Sequence, residues 1–270
     1  MAELKMKERM LSVLLAALVL VTGCDALSSA PTYGGLSVAG FNYTPYNLDR
    51  FVITDKYGNS ASGGGDLMPG AGEGSLSCCY KLKGTEFTVK WEVYDADEAI
   101  RSIDAHEPIK TIQKSTQIHL PPTKVKGGLG ERVLGLHFYP DDHVEFEFRT
   151  DLGGTRIFYS DIDSWLVKKQ GKTFNDTMED AVAFRRTARI AAEGWKKYRF
   201  TSTQDLEQYV YFTLLVNPNF DQHPAIQKII AETRDKPGAF GAAMAELPTP
   251  IVEALKQGNS ANSEQRATHG

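Results

Sequence analysis

The sequence predicts an α+β protein: an N-terminal antiparallel β-sandwich-like domain followed by a C-terminal helical region. Three observations predict it. Between about residues 37 and 150, apolar residues recur at every second position in short runs separated by turn residues. After Gly153-Gly154 the apolar period lengthens to that of a helix. The 270-residue chain is 41% hydrophobic and 24% charged, which is a globular composition with enough length to bury a core.

The elements follow in order. Residues 25–36, DALSSAPTYGGL, are small and polar with Pro and Gly, and read as a flexible tether. Ser37–Asn42 and Leu48–Thr54 read as strands joined by turn residues. Tyr57–Gly74 holds a Gly/Ser run that has no side chains to pack, so a long mobile loop is expected there. Such loops often carry function, which makes Gly63, Gly64 and Gly65 candidate contacts for a partner. Ser75–Tyr80 and Glu86–Tyr94 alternate as strands do, and Thr111–Leu120 is a further strand ending at Pro121-Pro122. Val133–Tyr139 and His143–Arg149 flank Pro140-Asp141-Asp142 as a hairpin, with Val144, Phe146 and Phe148 on one face and His143, Glu145 and Glu147 on the other.

In the second half, Asp176–Ala192 has apolar residues at Met178, Val182, Ala183, Ile190 and Ala191. It reads as an amphipathic helix capped by Asn175 or Asp176, with Phe184 off the strict stripe. Thr203–Val216 reads as a second helix with Thr203 as its cap; its aromatic and β-branched content leaves a strand as the alternative. Ala225–Arg234, Ala239–Leu247 and Pro250–Gln257 are further helices, and residues 258–270 read as a disordered tail. The β-rich domain is thus expected over 37–152 and the helical region over 153–257.

The N-terminus speaks to location. Lys5, Lys7 and Arg9 precede an apolar run, Met10–Val21, interrupted only by Ser12. A dozen residues are too few to span a bilayer, which takes about 20. A basic flank and a short apolar core read as a secretory signal peptide. Val21-Thr22-Gly23-Cys24 then resembles a bacterial lipobox. That resemblance implies cleavage after residue 23, diacylglycerol on the Cys24 sulfur and an acylated amino group. Residues 1–23 are then the signal peptide and 24–36 the tether. More than one acyl chain gives stable attachment to a membrane. Asp25 resembles the inner-membrane retention signal of enteric lipoproteins, so the periplasmic side of the inner membrane is favoured and the outer membrane is the alternative. Loss of residues 1–23 removes three basic and two acidic side chains, taking the net charge from −4 to −5. No basic footprint for nucleic acid exists in that balance.

Of the three cysteines, Cys78 and Cys79 remain once Cys24 is lipidated. An oxidising periplasm permits a disulfide. A bond between neighbours is rare, so two small side chains on opposite faces of a strand is the favoured reading, with an intermolecular bond as a third. In each reading the pair is structural. It has no zinc-site companions.

Residue patterns for catalysis are sparse. The chain has no Gly-x-Ser-x-Gly elbow, no phosphate loop and no dinucleotide loop, so no cofactor is implied. His137, Asp141, Asp142 and His143 form the one candidate metal group, but turn chemistry accounts for the Asp pair and no metal is assigned. Asp95, Asp97 and Glu98 lack a calcium loop and read as a solvated turn. Asp161 and Asp163, beside Trp165, precede or cap a segment, and Arg185, Arg186 and Arg189 form a solvated helical face. Together these readings favour a binding protein over an enzyme.

Three residue groups, taken together behind the lipobox, resemble a family of uncharacterised proteobacterial lipoproteins. They are Ala39-Gly40-Phe41-Asn42-Tyr43-Thr44, the Gly-rich run leading to Cys78-Cys79-Tyr80, and His137-Phe138-Tyr139-Pro140-Asp141-Asp142-His143-Val144-Glu145. Members of that family look like immunity partners of type VI secretion phospholipase effectors of the alpha/beta-hydrolase class. The resemblance implies a lipid-anchored inhibitor that protects the producing cell. Its contact would be the 58–74 loop or the hairpin, through Phe138, Tyr139, Asp141 and Asp142. The alternatives are a structural or assembly lipoprotein of the envelope and a periplasmic hydrolase with an unrecognised site.

Overall fold

The computed structural model describes residues 30–128, 131–151, 153–171 and 180–267. The signal peptide, Cys24, Asp25 and the Asn175/Asp176 cap lie outside the described residues. The strands are β1 (Thr32–Asn42), β2 (Asn47–Asp55), β3 (Ser60–Leu67), β4 (Gly72–Lys83), β5 (Glu86–Tyr94), β6 (Ile112–His119), β7 (Arg132–Phe138) and β8 (Val144–Arg149). The helices are α1 (Ala96–Asp104), α2 (Tyr159–Gln170), α3 (Asp180–Tyr198), α4 (Thr203–Tyr211), α5 (Pro224–Thr233), α6 (Ala239–Ala245) and α7 (Thr249–Ala267). A π-helical turn, Phe212–Val216, prolongs α4, so 203–216 is helical throughout.

The strands form two four-stranded sheets, ordered β4-β1-β7-β8 and β3-β2-β5-β6. All neighbours are antiparallel except β1 and β7, which run parallel from Leu36↔Arg132 to Asn42↔Phe138. Alternation builds the sandwich. Leu36, Val38, Leu134, Leu136 and Phe138 of the first sheet meet Phe51, Ile53, Val89, Trp91 and Val93 of the second. The first sheet is buried on its other face as well. There Ala39, Phe41, Tyr43, Val133 and Tyr139 pack beneath α2, α3 and α4, against Ile162, Leu166, Ala188, Trp195 and Tyr209. The molecule is therefore α+β in three layers, sheet on sheet on helices. β7 is buried along nearly its whole length because both its faces are covered. Among the described residues no helix is long and apolar enough to cross a membrane.

Several expectations are corrected. The stretch expected to be a mobile loop is strand β3, paired antiparallel with β2 through Phe51↔Gly63 and Arg50↔Gly64. Its glycines permit close approach. A Cβ on Gly63 would stand 2.6 Å from the Phe51 ring, and Gly64, at φ +126°, would place one 2.5 Å from the Asp49 carbonyl oxygen. Gly64→Ala is accordingly expected to cost about 2 kcal/mol or more, read from urea denaturation; a cost near zero would mean that β3 is not held against β2. The tether is also shorter than its composition suggested, because β1 starts at Thr32 and buries Tyr33.

Asp95 is no solvated turn: it caps α1, its carboxylate accepting from Asp97 N and Glu98 N. Arg185 and Arg189 of α3 are not a solvated face, since both bind Asp97 and Arg189 also reaches Asp95. Burial raises the Asp97 carboxyl, yet bonds from Arg189 and Arg185 prevail and hold it below the usual carboxylate range. Asp161 and Asp163 lie inside α2 and cap nothing; Asp163 accepts from the Thr187 hydroxyl of α3 at 3.1 Å. Ser202, not Thr203, stands at the N-cap of α4. Finally, α7 runs on to Ala267, past the Gln257 at which its pattern faded.

The cysteines also depart from the favoured reading. Cys78 and Cys79 are joined to each other by a disulfide across a cis peptide bond. Both are exposed, because a bond between neighbours draws the two side chains to one side. β4 accommodates them with an extra residue: it takes three steps from Ser77 to Tyr80 where β1 takes two from Val38 to Leu36.

Candidate functional site

A connected group of polar side chains surrounds the β7–β8 hairpin. The turn closes through Tyr139 N to His143 O and Asp142 N to Tyr139 O, both 3.1 Å, with Asp142 in the left-handed region at φ +69°. Beyond it the alternation of β8 follows the sequence expectation: Val144 is buried in the sandwich while Glu145 and Glu147 face the other way.

His137 precedes this turn on the face of β7 that looks toward the helices. It is fully buried and stacked on Phe41, centroids 4.6 Å apart. Nε2 lies 2.8 Å from Glu147 Oε2 and Nδ1 lies 2.9 Å from the Tyr43 hydroxyl. Burial, aided by the charge of Arg156, pushes the imidazole down to about 4, so it is neutral at physiological pH. A neutral ring has one N–H, and a carboxylate only accepts. Nε2 therefore donates to Glu147, and Nδ1 accepts from Tyr43. The Tyr43 oxygen in turn accepts from the backbone N–H of Arg156 at 2.9 Å. Burial raises the Tyr43 phenol well above its ordinary value.

Arg156 crosses the open side of this row. Its Nη1 donates to Tyr139 Oη at 2.8 Å and to Glu145 Oε2 at 2.5 Å, and Nη2 stands 3.4 Å from Glu147. The Tyr139 hydroxyl also donates to Glu145 at 3.1 Å. Burial would raise Glu145, but the bonds from Arg156 and Tyr139 hold it below the usual range. Burial pushes Tyr139 up to about 12.

A second branch runs to the hairpin tip. The rings of His143, Tyr139 and Trp195 stack, with Tyr139 centroids 4.3 Å from His143 and 5.0 Å from Trp195. The Arg199 guanidinium lies 4.3 Å over Trp195 and binds Asp141 at 2.8 Å. Asp141 also pairs with His143, and Lys114 of β6 pairs with Asp142. Burial would raise Asp141, but His143 and Arg199 keep it low.

Chemically, each acid in this group is matched to a base, and His137 lies sealed beneath aromatic rings. The arrangement locks hairpin, sheet and helices together. Among the described residues no group of three or more His, Cys, Asp and Glu could hold a metal. A cleft of about 780 Å³ lies elsewhere, on the outer face of the second sheet, lined by Arg50, Val52, Lys90 and Gln113.

Of the expected partner contacts, Gly63, Gly64 and Gly65 lie within β3. Phe138 points into the sandwich, against Phe51 and Trp91 at 5.2 and 5.6 Å, and is fully buried. Tyr139 is buried between sheet and helices. Neither aromatic is open to a partner, because each face of the first sheet is covered. Asp141 and Asp142 do reach the surface, with Asp142 about half exposed. Tyr43 sat in one of the quoted motifs without an assigned role. Arg156, Trp195 and Arg199 carry no local pattern and were missed. No family model, curated protein or solved structure matches this chain.

Proposed function

We propose that the chain is a lipid-anchored periplasmic protein that binds and inhibits a type VI secretion phospholipase effector. The observation that carries this reading is the bracing of the hairpin tip. Lys114 of the second sheet holds Asp142, and Arg199 of the helical layer holds Asp141. A tip held from two layers loses little conformational freedom when it enters an enzyme cleft. An inhibitor needs a shaped surface and no reacting group, which suits a site whose polar groups are matched among themselves. The lipobox-like sequence at Cys24 supports a place beside the membrane that such an effector attacks, and attachment there raises the local concentration. The contact then runs through Asp141, Asp142 and His143, not through residues 63–65, Phe138 or Tyr139.

Co-purification with the product of the adjacent gene tests the partner, and palmitate labelling of the chain against Cys24→Ser tests the anchor. For the contact, Asp142→Asn keeps a residue that accepts the left-handed backbone and removes the charge. It is expected to weaken effector binding about tenfold or more with little change in melting temperature. Unchanged affinity would move the contact off the tip and onto the helical layer.

A further inference from the structure

The two ends of the sandwich differ in how their charged side chains are paired: the acids of one end are matched to Lys or Arg, while the lysines of the other have no carboxylate partner among the described residues. At one end lie the start of β1, the β2–β3 and β4–β5 turns and the end of β6. They are tied together by Gly84 N to Pro31 O at 2.8 Å and Leu120 N to Thr85 O at 2.7 Å. This end carries Lys56, Lys81, Lys83, Lys124 and Lys126, and among the described residues none of these pairs with a carboxylate. Its acids are consumed locally. Asp55 accepts from the backbone of Tyr57, Asn59 and Lys83, Glu86 pairs with His119, and Glu131 accepts from Gly128 N; in the cleft that Lys124 and Lys126 line, Asp151 pairs with Arg149 and Glu147 with His137 and Arg149. Tyr57 stands out from the turn, nearly half exposed, with the Lys83 and Lys56 ammonium groups 4.6 and 5.3 Å from its ring. The other end holds α1 and the hairpin tip, with Asp95, Asp97, Glu98, Asp141 and Asp142.

We infer that the lysine-bearing end is a docking face for an anionic phospholipid surface. The inference rests on the lipid-anchor reading and adds an orientation to it. The chain leaves this end at Thr32, eight residues after Cys24, so the face lies within about 30 Å of the anchored lipid. Five lysines without carboxylate partners meet phosphate headgroups by charge, and an amphipathic Tyr57 suits the headgroup layer. The sandwich is roughly 35 Å long, judged from the 11 residues of β1, so the Asp141–Asp142 tip points away from the bilayer, toward an arriving partner.

The test uses the chain from residue 25 to 270, which has no lipid but keeps every strand and helix of the described residues, since these begin at or after Thr32. It is mixed with vesicles of phosphatidylglycerol and phosphatidylethanolamine, or of phosphatidylcholine alone, and sedimented. Binding to the anionic vesicles at low salt is expected despite the chain's net negative charge, with release as salt rises. Replacing Lys56, Lys81, Lys124 and Lys126 by Gln is expected to lower partitioning about fivefold per lysine, several hundredfold in all. Lys196→Gln with Lys228→Gln, on the helical layer, is expected to leave it unchanged. Equal binding to both vesicle types, an unaffected quadruple variant, or an equal loss in the helical control would each overturn the docking face. Absence of palmitate on the full chain would instead remove the anchor reading, and the vesicle result would stand apart from it.

Discussion

Replacing Phe138 by alanine is expected to lower the unfolding free energy by about 3–5 kcal/mol. The side chain is fully buried and wedged between Phe51 and Trp91, so its removal leaves a cavity lined by aromatic rings that belong to two different strands. Backbone pairing on both sides of β7 limits how far the site can collapse. Folded molecules of the variant are expected to bind a partner as the parent does, because Phe138 faces the sandwich and not the surface. Urea denaturation checks the first statement and a binding titration on folded protein the second. A loss under about 1 kcal/mol would be incompatible with burial of this ring between the sheets.

His137 gives the second large effect, and it depends on pH. The ordinary imidazole value is 6.5, and burial in the native state pushes it down to about 4. The unfolded chain therefore binds a proton that the folded chain refuses. Stability is complete above pH 6.5, falls as pH drops from there toward 4, and loses nothing more from this group below that. The loss over the window is roughly 3 kcal/mol. Asp97, Asp141 and Glu145 act in the same direction but in a lower window: held below their ordinary values, they too lose stabilising free energy as pH falls, starting at the usual carboxylate values. His137→Phe keeps a ring against Phe41 but cannot titrate. It is expected to be less stable at pH 7 by about 1–3 kcal/mol, because it leaves Tyr43 and Glu147 each short of a partner. Its stability between pH 6.5 and 4 is expected to be nearly flat. Denaturation curves at several pH values decide this, and an undiminished slope in the variant would place the titrating group elsewhere.

Local periodicity carried much of the fold, and it failed where side chains are missing or partners are distant. The hairpin was legible because Val144, Phe146 and Phe148 alternate with charged residues on either side of a Pro-Asp-Asp turn. β3 was not, since SASGGGDL shows no alternation; its pairing is dictated by Phe51, which needs room that only Gly63 leaves. α1 was missed because its nine residues give only about two and a half turns of pattern, and its anchoring acids find their arginines about 90 residues away. The parallel pairing of β1 with β7 has no sequence signal at all, because the whole second sheet lies between them in the chain. The site was half visible for the same reason. The motif from His137 to Glu145 marked the place, yet the burial of Phe138 follows from the second sheet packing on the first, that of Tyr139 from the helical layer closing over it, and Arg156 and Arg199 reach the motif from outside any recognisable pattern.

Inhibition of a phospholipase is the claim at the centre, and turnover measures it most directly. The product of the adjacent gene is assayed on phospholipid vesicles while the chain from residue 25 to 270 is titrated in. Turnover is expected to fall to near zero at about one equivalent of chain to effector, with Asp142→Asn requiring a higher concentration for the same effect. Undiminished turnover with the chain at micromolar excess would contradict inhibition of that enzyme and favour a structural role in the envelope.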